Sequence, residues 1–475
     1  MMNQLETSEV SIPKLIGALI IGAIIWFLPI PEGVKTEAWH LLAIFIFTIL
    51  GIILKALPMG TMCFTGLAIA LLTNTLNIKN QALTGFGNST IWLIVIAFFI
   101  ARGFIKTGLG SRIAYFFIFH LGSKTLGLAY GLALTDLVLA PATPSNTARA
   151  GGVIYPILKS MAHNFGSDPD NGTRKKIGEY LVLTAFQVDI ITSAMFVTSM
   201  AANPLIVQFA ANNGVELTWG GWALAAIVPG LISLAIIPYL VFKIYPPEIK
   251  ETPDAKNIAR RKLKEMGPIS KNEWIMLFVF AFLIIFWILG GTLGINATTT
   301  AIAGLAILLI SGVLNWEDVK SEKGAWDTLI WFGILVMMAD FLNKLGFIPW
   351  FSALIAKEMG GHAWTLAFPA LLLIYFYSHY MFASATAHVT AMAAAFMGVG
   401  ITVGVPPYLM AISLGFFSNL FGSTTHYGMG PAPVLFGSGY VELTDWWKLG
   451  FYLSIINIAV WLGIGGLWWK LLGLF

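Results

Sequence analysis

A segment in the first half of the chain places small polar side chains inside a long apolar stretch. Pro141 and Pro144 stand three residues apart, and Ser145, Asn146 and Thr147 follow directly. Each proline removes a backbone donor and clashes with the preceding helical turn, so the pair predicts a broken helix. Hydroxyl and amide groups at the start of the next helix supply donors at short range, which suits a carboxylate. The sequence therefore predicts an anion-binding tip here.

The second half of the chain carries a similar triplet, Ser384, Ala385 and Thr386. Other short matches between the halves recur at a nearly constant separation along the chain. We count an odd number of spans between the two triplets, which inverts the second copy relative to the first. Inverted repeats with a ligand site near the membrane midplane are typical of secondary transporters. Two tips related in this way suit two carboxylates at opposite ends of one small molecule, so Ala385 is a candidate substrate contact together with the other residues of the two triplets.

Arg149 and His388 stand two residues beyond the threonines of the two triplets. A cationic side chain inside a membrane is costly and is a functional candidate by default. The pair is therefore expected to offset the charge of a dianion. The alternatives are that Arg149 forms a structural pair with Asp136 or Asp189, and that His388 is a neutral core histidine. His379 is expected at the membrane interface.

Two further polar stretches predict helices that are broken inside the membrane. The segment Ser418–Gly439 contains Pro431 and Pro433, and its first-half counterpart Thr192–Pro204 contains Asn203. Broken helices leave carbonyl and N–H groups free to meet a ligand or ion. We therefore include these three residues among the candidate substrate contacts. The alternative is that the many glycines of the second stretch serve only close helix packing.

Composition excludes an ordinary soluble protein. The 475 residues are 57% hydrophobic and 11% charged, whereas soluble domains carry about 25% charged residues. Many apolar runs have the length of about 20 residues that crosses a bilayer, such as Trp39–Leu57 and Trp222–Phe242. The run Ile12–Ile30 has few positive charges before it and no small-residue cleavage site after it, so we expect a retained first helix. These patterns predict an all-α polytopic membrane protein.

Basic residues concentrate in two polar stretches, Ser167–Lys176 and Lys243–Lys271. The positive-inside rule places both in the cytoplasm, and counting spans back from them puts the N-terminus there too. The expected organisation is an N-terminal helix (1–36), a first inverted repeat (37–242, tip near 144–147), a cytoplasmic basic linker (243–272) and a second inverted repeat (273–475, tip near 384–386).

The sequence contains no pattern that indicates an enzyme. Phosphate-binding loops, nucleophile elbows and Cys/His clusters with metal-ligand spacing do not occur. Cys63 is the single cysteine, which excludes an intrachain disulfide. The net charge of +4 does not indicate nucleic-acid binding. We expect no cofactor and no metal, and transport driven by a gradient or by exchange.

Three stretches resemble the divalent anion/sodium symporter family: Pro144–Gly152, Ser384–His388 and Ser418–Val441. The resemblance implies about eleven transmembrane helices with two re-entrant hairpins, a homodimer and an elevator-type transport mechanism. It also implies which residues contact substrate carboxylates, namely Ser145, Asn146, Thr147, Ser384 and Thr386.

One position departs from the family pattern. Ala385 stands where the second triplet of sodium-coupled members has an asparagine that helps to hold sodium. Together with Arg149 and His388, this resembles the exchanger branch, which contains bacterial citrate/succinate and tartrate/succinate antiporters and plastid 2-oxoglutarate/malate translocators. The leading expectation is sodium-independent antiport of C4–C5 dicarboxylates (2-oxoglutarate, malate, succinate or fumarate) across the cytoplasmic membrane.

Three alternatives stay open at this stage. The first is sodium-coupled symport of di- or tricarboxylates, which the intact first triplet favours. The second is citrate or tartrate exchange for succinate. The third is an ion channel or an arsenite or metal-ion permease on a related inverted repeat. Transport that saturates and carries no current would separate a carrier from a channel.

Overall fold

The computed structural model describes residues 10–358 and 363–475. Within these ranges the chain is helical, with one isolated bridge between Lys124 and Glu251 and no strand. The helices of the first half are α1 (Ile12–Phe27), α2 (Thr36–Ile53), α3 (Met59–Leu72), α4 (Ser89–Thr107), α5 (Leu109–Leu121), α6 (Thr125–Leu139), α7 (Asn146–Arg149), α8 (Tyr155–Asn164), α9 (Gly178–Met195), α10 (Asn203–Asn212) and α11 (Trp219–Ile244).

The second half begins with a polar, amphipathic helix in the basic linker. Its helices are α12 (Pro253–Glu265), α13 (Lys271–Leu293), α14 (Ala297–Ile310), α15 (Trp316–Lys320), α16 (Lys323–Lys344), α17 (Phe347–Glu358), α18 (Trp364–Tyr377), α19 (Ala385–Thr402), α20 (Pro407–Leu420), α21 (Pro431–Phe436), α22 (Leu443–Ile458) and α23 (Gly465–Leu471).

Eight helical segments of the described chain are long and apolar enough to cross a membrane. Six are single helices: α2, α4, α11, α13, α16 and α19. The other two are the continuous segments Thr125–Ala142 and Leu443–Leu471. Four further apolar helices are shorter: α1, α3, α5 and α14. The predicted class of an all-α polytopic membrane protein is confirmed.

The chain forms two compact units, and each unit draws on both halves of the sequence. Unit 1 contains Met1–Val95, Leu205–Glu216 and Lys323–Leu414. Unit 2 contains Ile96–Pro204, Leu217–Glu322 and Gly415–Phe475. The first hairpin tip therefore belongs to unit 2 and the second tip to unit 1. The inverted repeat stays a prediction.

In unit 1, α16 packs against α2, α3 and α17, and α17 packs against α19. A close approach supports this arrangement at Gly85, where a Cβ atom would lie 1.9 Å from the carbonyl oxygen of Gly333. The glycine thus lets a short 3-10 turn, Thr84–Gly87, lie directly on α16. The hairpin α18–α19 is positioned on this scaffold.

In unit 2, α9 is the central element, since all of its 18 residues are buried. It packs against α11 and α6, and its polar residues Gln187, Asp189, Thr192 and Ser193 are enclosed with the apolar ones. A polar helix with no exposed residue must satisfy its side chains inside the protein. The partners of these side chains define the site described next.

Candidate functional site

The first tip is built as the two prolines predict. Helix α6 ends at Leu139, a 3-10 turn covers Ala140–Ala142, and the chain is extended at Thr143. Ser145 then caps the next helix, because its Oγ accepts a hydrogen bond from the backbone N–H of Ala148 at 3.1 Å. Helix α7 begins at Asn146, so the triplet lies at a helix start.

The second tip repeats this local structure. Helix α18 ends at Tyr377, a 3-10 turn covers Ser378–Met381, and the backbone is extended at Phe382. The Oγ atom of Ser384 accepts from the backbone N–H of Ala387 at 3.4 Å, and α19 begins at Ala385. Both triplets therefore occupy the same place, a serine cap followed by the first turn of a helix.

The two predicted helix interruptions are also present, both in unit 2. Residues 196–202 separate α9 from α10, with an extended residue and a 3-10 turn between them. Residues 421–430 separate α20 from α21 in the same manner. Non-helical backbone at membrane depth is tolerated where it is buried in protein or lines a cavity.

The first tip meets both interruptions inside unit 2. The Nη1 atom of Arg149 donates to the carbonyl oxygen of Ser199 at 3.0 Å, which joins the tip to the first interruption. At the second interruption, a Cβ atom on Gly430 would lie 1.9 Å from the Oγ1 atom of Thr147. Only a residue without a side chain can hold Thr147 this close. One compact polar region results, formed by the first tip and the two interruptions.

Asn146 has a buried donor within this region. Its side chain is 7% exposed, and its Oδ1 accepts from the backbone N–H of Thr147 at 2.9 Å. Among the described residues its Nδ2 atom has no hydrogen-bond partner. An unpaired buried donor costs about 1–3 kcal/mol, so its retention favours a ligand that accepts from it.

Asn203 lies in the same region, and its side-chain amide makes hydrogen bonds within the protein. Its Nδ2 atom donates to the carbonyl oxygens of Ser193 and Phe196, both at 2.9 Å. Its Oδ1 atom accepts from Asn419 Nδ2 at 2.6 Å. The amide thus braces the first interruption against α20. Asn419 was not singled out from the sequence, although it lies in the second polar stretch.

The two prolines of α21 differ in exposure. Pro431 is buried at the first position of the helix, directly after Gly430. Pro433 is exposed, and its carbonyl oxygen accepts from the backbone N–H of Gly437 at 2.9 Å. Pro431 directly follows Gly430, which packs against Thr147 of the first tip.

Arg149 is fully enclosed and bound to two carboxylates. Its Nε atom lies 2.8 Å from Asp136 Oδ1, and its Nη2 atom lies 2.9 Å from Asp189 Oδ1. The remaining N–H groups reach other acceptors, so none of the five donors is left for a substrate. These acceptors are the carbonyl oxygens of Thr143 and Ser199 and the hydroxyl groups of Thr192 and Ser193. The structural pairing considered for Arg149 is present, with both aspartates rather than one.

His388 is enclosed within unit 1 by aromatic rings and a second histidine. Its Nδ1 atom lies 3.1 Å from His379 Nδ1, and its Nε2 atom lies 3.2 Å from Ser378 Oγ. Since two facing ring nitrogens form a hydrogen bond only when one accepts, the pair cannot be protonated on both Nδ1 atoms. The interfacial position expected for His379 is wrong. The ring is fully buried and stacks on His388, with 5.2 Å between centroids.

A cavity of about 380 Å³ lies beside the second tip within unit 1. The connection between α2 and α3 forms one wall and contributes Lys55, whose backbone has a φ of 51°. The tip contributes Ser384 and Ala387. Lys55 was not singled out from the sequence, because nothing in its local pattern distinguishes it from other loop lysines. Among the residues that the structure describes, no group of three His, Cys, Asp or Glu side chains could hold a metal ion.

Apolar helices of spanning length, two hairpin tips and two interrupted helices together define a multi-pass membrane transporter. The chain belongs to the family described as the sodium:sulfate symporter transmembrane region, which it matches over residues 9–475. This family consists of transporters and not enzymes. The predicted relationship to the divalent anion/sodium symporters is confirmed.

Several relatives align along nearly the whole chain. YflS of Bacillus subtilis, a candidate malate transporter by its name, is 58% identical, with 100% of both chains covered. Dicarboxylate transporter 1 of spinach chloroplasts is 51% identical over 98% of this chain and 82% of its own. The inner membrane protein YbhI of Escherichia coli is 38% identical over 97% of this chain and 98% of its own.

A solved structure shares the fold. The YdaH transporter of Alcanivorax borkumensis matches with a TM-score of 0.59, covering 85% of this chain and 88% of that one. The two sequences are 14% identical over the match. This likeness concerns the arrangement of helices alone.

Proposed function

We propose that this protein exchanges C4–C5 dicarboxylates, such as malate, succinate, fumarate and 2-oxoglutarate, independently of sodium. One molecule enters as another leaves. The proposed substrate contacts are those predicted from the sequence, with the first tip as the principal binding element. The argument rests first on the chemistry of that tip and then on the relatives.

The observation that carries the proposal is the buried, unpartnered Nδ2 donor of Asn146 beside Thr147. Serine, asparagine and threonine here stand at a helix start, inside a region that two interrupted helices surround. A carboxylate accepts several hydrogen bonds at once and gains from charge-assisted donors. A bare metal cation has no acceptor atom and would leave the amide donor unsatisfied.

The relatives supply the substrate class. The spinach protein carries dicarboxylates by its name, and YflS has malate in its name. Both cover nearly all of this chain at more than half identity. A second carboxylate-binding element is then required, and the Ser384–Thr386 tip has the same local structure as the first. Lys55 beside that tip would attract the anion electrostatically.

Ala385 supports independence from sodium. A methyl group at this buried position cannot supply the oxygen ligand that an asparagine offers to a cation. Hard cations require several oxygen ligands. The second tip of this chain therefore has weaker means of holding sodium than the first, where Asn146 is present.

Charge compensation by Arg149 and His388 stays a prediction. Every N–H group of Arg149 already binds the protein. Arg149 can therefore compensate the charge of a substrate only through its electrostatic field. Both ring nitrogens of His388 are engaged, one with His379 and the other with Ser378. Neither residue is proposed to touch the substrate directly.

The proposal includes the transport mode and the setting. An elevator-type movement, a homodimer, the cytoplasmic membrane and a cytoplasmic N-terminus follow from the family resemblance and from the basic loops. The basic linker supports this orientation through α12, whose sequence includes Arg260, Arg261, Lys262 and Lys264.

The test is uptake of labelled malate into proteoliposomes. Vesicles are preloaded with unlabelled malate or left empty, each with and without an inward sodium gradient. Uptake restricted to preloaded vesicles and indifferent to sodium is expected. Uptake into empty vesicles driven by sodium contradicts exchange and favours symport, the second candidate, which the intact Ser145–Thr147 triplet and the family description favour. Absence of saturable malate transport under all four conditions contradicts both.

A further inference from the structure

Two carboxylates share one guanidinium in the centre of unit 2. The side chains of Arg149, Asp136 and Asp189 are 0%, 2% and 1% exposed. All three belong to the first hairpin or to α9, which packs against it. With both aspartates ionised, this triad carries a net charge of −1 on three buried side chains. A buried net charge is far more costly than a neutral, paired set.

Among the described residues of α9 and the elements packed against it, no further cation pairs with either aspartate. Arg149 and Asp136 are the charged groups that act on Asp189 electrostatically. The other ionisable side chains of α9 and the elements packed against it are Glu179 and Tyr180 on α9, Tyr130 on α6, Tyr155, Lys159 and His163 on α8, and Tyr239 and Lys243 on α11. Glu179 stands ten residues before Asp189, about 15 Å along the helix.

The two aspartates differ in the hydrogen bonding of their Oδ2 atoms. The Oδ2 atom of Asp136 accepts a hydrogen bond from the hydroxyl group of Thr192. The Oδ2 atom of Asp189 is buried and has no hydrogen-bond partner among the residues of 10–358 and 363–475. An ionised oxygen without any donor is the least favourable state for such a group. The surroundings thus favour the ionised form of Asp136 and the protonated form of Asp189.

We infer that Asp189 is a proton-binding site, and that the triad is held as a guanidinium, an ionised Asp136 and a neutral, protonated Asp189. In this form it carries no net charge. Loss of the proton would place a negative charge beside the element that is proposed to receive a dianion. Proton and dicarboxylate binding should therefore favour each other, because each ligand reduces the cost of the other. This coupling, though not the proton site itself, rests on the proposed function.

The affinity for malate should fall as the pH rises. Where Asp189 keeps its proton, the affinity for malate is constant. Above the pH at which the proton leaves, each bound malate must take one proton up again. The dissociation constant should then rise by up to about tenfold per pH unit.

The proton itself is tested by infrared spectroscopy of the purified protein. We expect the C=O stretch of a buried, protonated carboxylic acid in the wild-type protein, lost in Asp189→Asn. Glutamate variants keep the charge of the triad, so Asp189→Glu should shift the band and Asp136→Glu should leave it in place. Asp254→Asn, at an exposed aspartate of unit 2, is the matched control and should keep the band. A wild-type spectrum without the band overturns the inference, as does a band that Asp189→Asn keeps or that Asp136→Glu alone shifts.

The coupling is tested on the wild-type protein, so it does not depend on whether a variant folds. Malate affinity is measured by calorimetry across the pH range in which the band disappears. A rise in dissociation constant that follows the loss of the band supports the coupling. An affinity that stays constant while the band disappears overturns it. A protein that shows the band but binds no malate retains the proton site and contradicts only the proposed function.

Discussion

The two hairpin tips have the same local structure and different surroundings. Each consists of a 3-10 turn, a serine cap and a helix start, and each has a threonine two residues after the serine. Behind the first tip, Arg149 binds two aspartates and two backbone carbonyls. Behind the second, His388 contacts another histidine, a serine and aromatic rings.

The residues at the tips are proposed to bind substrate, whereas the residues behind them support the tips. The residues at the tips are interchangeable in kind, since they present hydroxyl groups at helix starts. The residues behind them are not, because a guanidinium with five used donors fixes its partners more strongly than a pair of imidazoles does. The first tip is thus expected to be the more rigid of the two. The following substitutions test this contrast, in order of decreasing expected effect.

The largest effect is expected from Arg149→Ala. It leaves the buried Asp136 carboxylate without a counter-ion, takes a hydrogen-bond donor from Asp189, and removes donors from the carbonyl groups of Thr143 and Ser199. Breaking a buried ion pair in this way costs about 3–5 kcal/mol. The expected result is a low yield of monodisperse protein in detergent and a lowered melting temperature. His388→Ala should be clearly milder by the same measurements. Equal stability of the two variants would remove the contrast between the tips.

Gly430→Ala should displace the first tip without unfolding the protein. The added Cβ atom would lie 1.9 Å from Thr147 Oγ1, so either the tip or α21 must shift. Overpacking of this kind costs about 1–3 kcal/mol, and we expect malate affinity to fall roughly 30-fold. Gly152→Ala in the same hairpin is the control, because a Cβ atom there meets nothing within 4 Å. Similar binding by both variants would show that contact with Gly430 does not matter.

Thr147→Val and Thr386→Val should each weaken malate binding by about tenfold. Each removes one hydroxyl donor to a carboxylate and keeps the shape of the side chain. Matched controls are Thr292→Val at an exposed position of unit 2 and Thr65→Val at a half-buried position of unit 1, whose hydroxyl groups bind helix carbonyls. Binding is measured by calorimetry, with melting temperature as the check on folding. Unchanged affinity in both tip variants would exclude a site that uses both tips.

Lys55→Gln should have the smallest effect. The lysine lines the cavity beside the second tip but is exposed, so its charge is screened by solvent. A loss of malate affinity of about two- to fivefold is expected, decreasing as salt is added. Lys79→Gln, an exposed lysine of the same unit, serves as control. An effect that does not respond to salt would mean that Lys55 contacts the substrate directly.

The tips and interruptions could be predicted from the sequence because their signals are local. Pro141 and Pro144 break a helix wherever they stand, and a serine before an apolar helix is a cap. Small polar residues within apolar runs are rare in a membrane, which makes such stretches easy to locate. These features depend on neighbours along the chain and not on the packing of distant helices.

The supporting contacts could not be predicted in the same way. That Arg149 binds both Asp136 and Asp189 depends on how α6 and α9 lie beside the hairpin. That His379 is buried against His388 depends on how the turn after α18 packs against α19. Lys55 became a candidate only when a distant loop was found beside the second tip. The division into two units, which combines both halves of the chain, likewise arises from contacts between distant segments.

The most direct test of the central claim is malate binding to the purified protein in sodium-free buffer, with the Asn146→Ala variant beside the wild type. The Asn257→Ala variant, at an exposed position of α12, is the control. We predict that wild type and control bind malate without sodium, and that Asn146→Ala stays folded but binds at least about tenfold more weakly. Equal binding by all three proteins, or wild-type binding that requires sodium, would contradict a sodium-independent carboxylate site at the first tip.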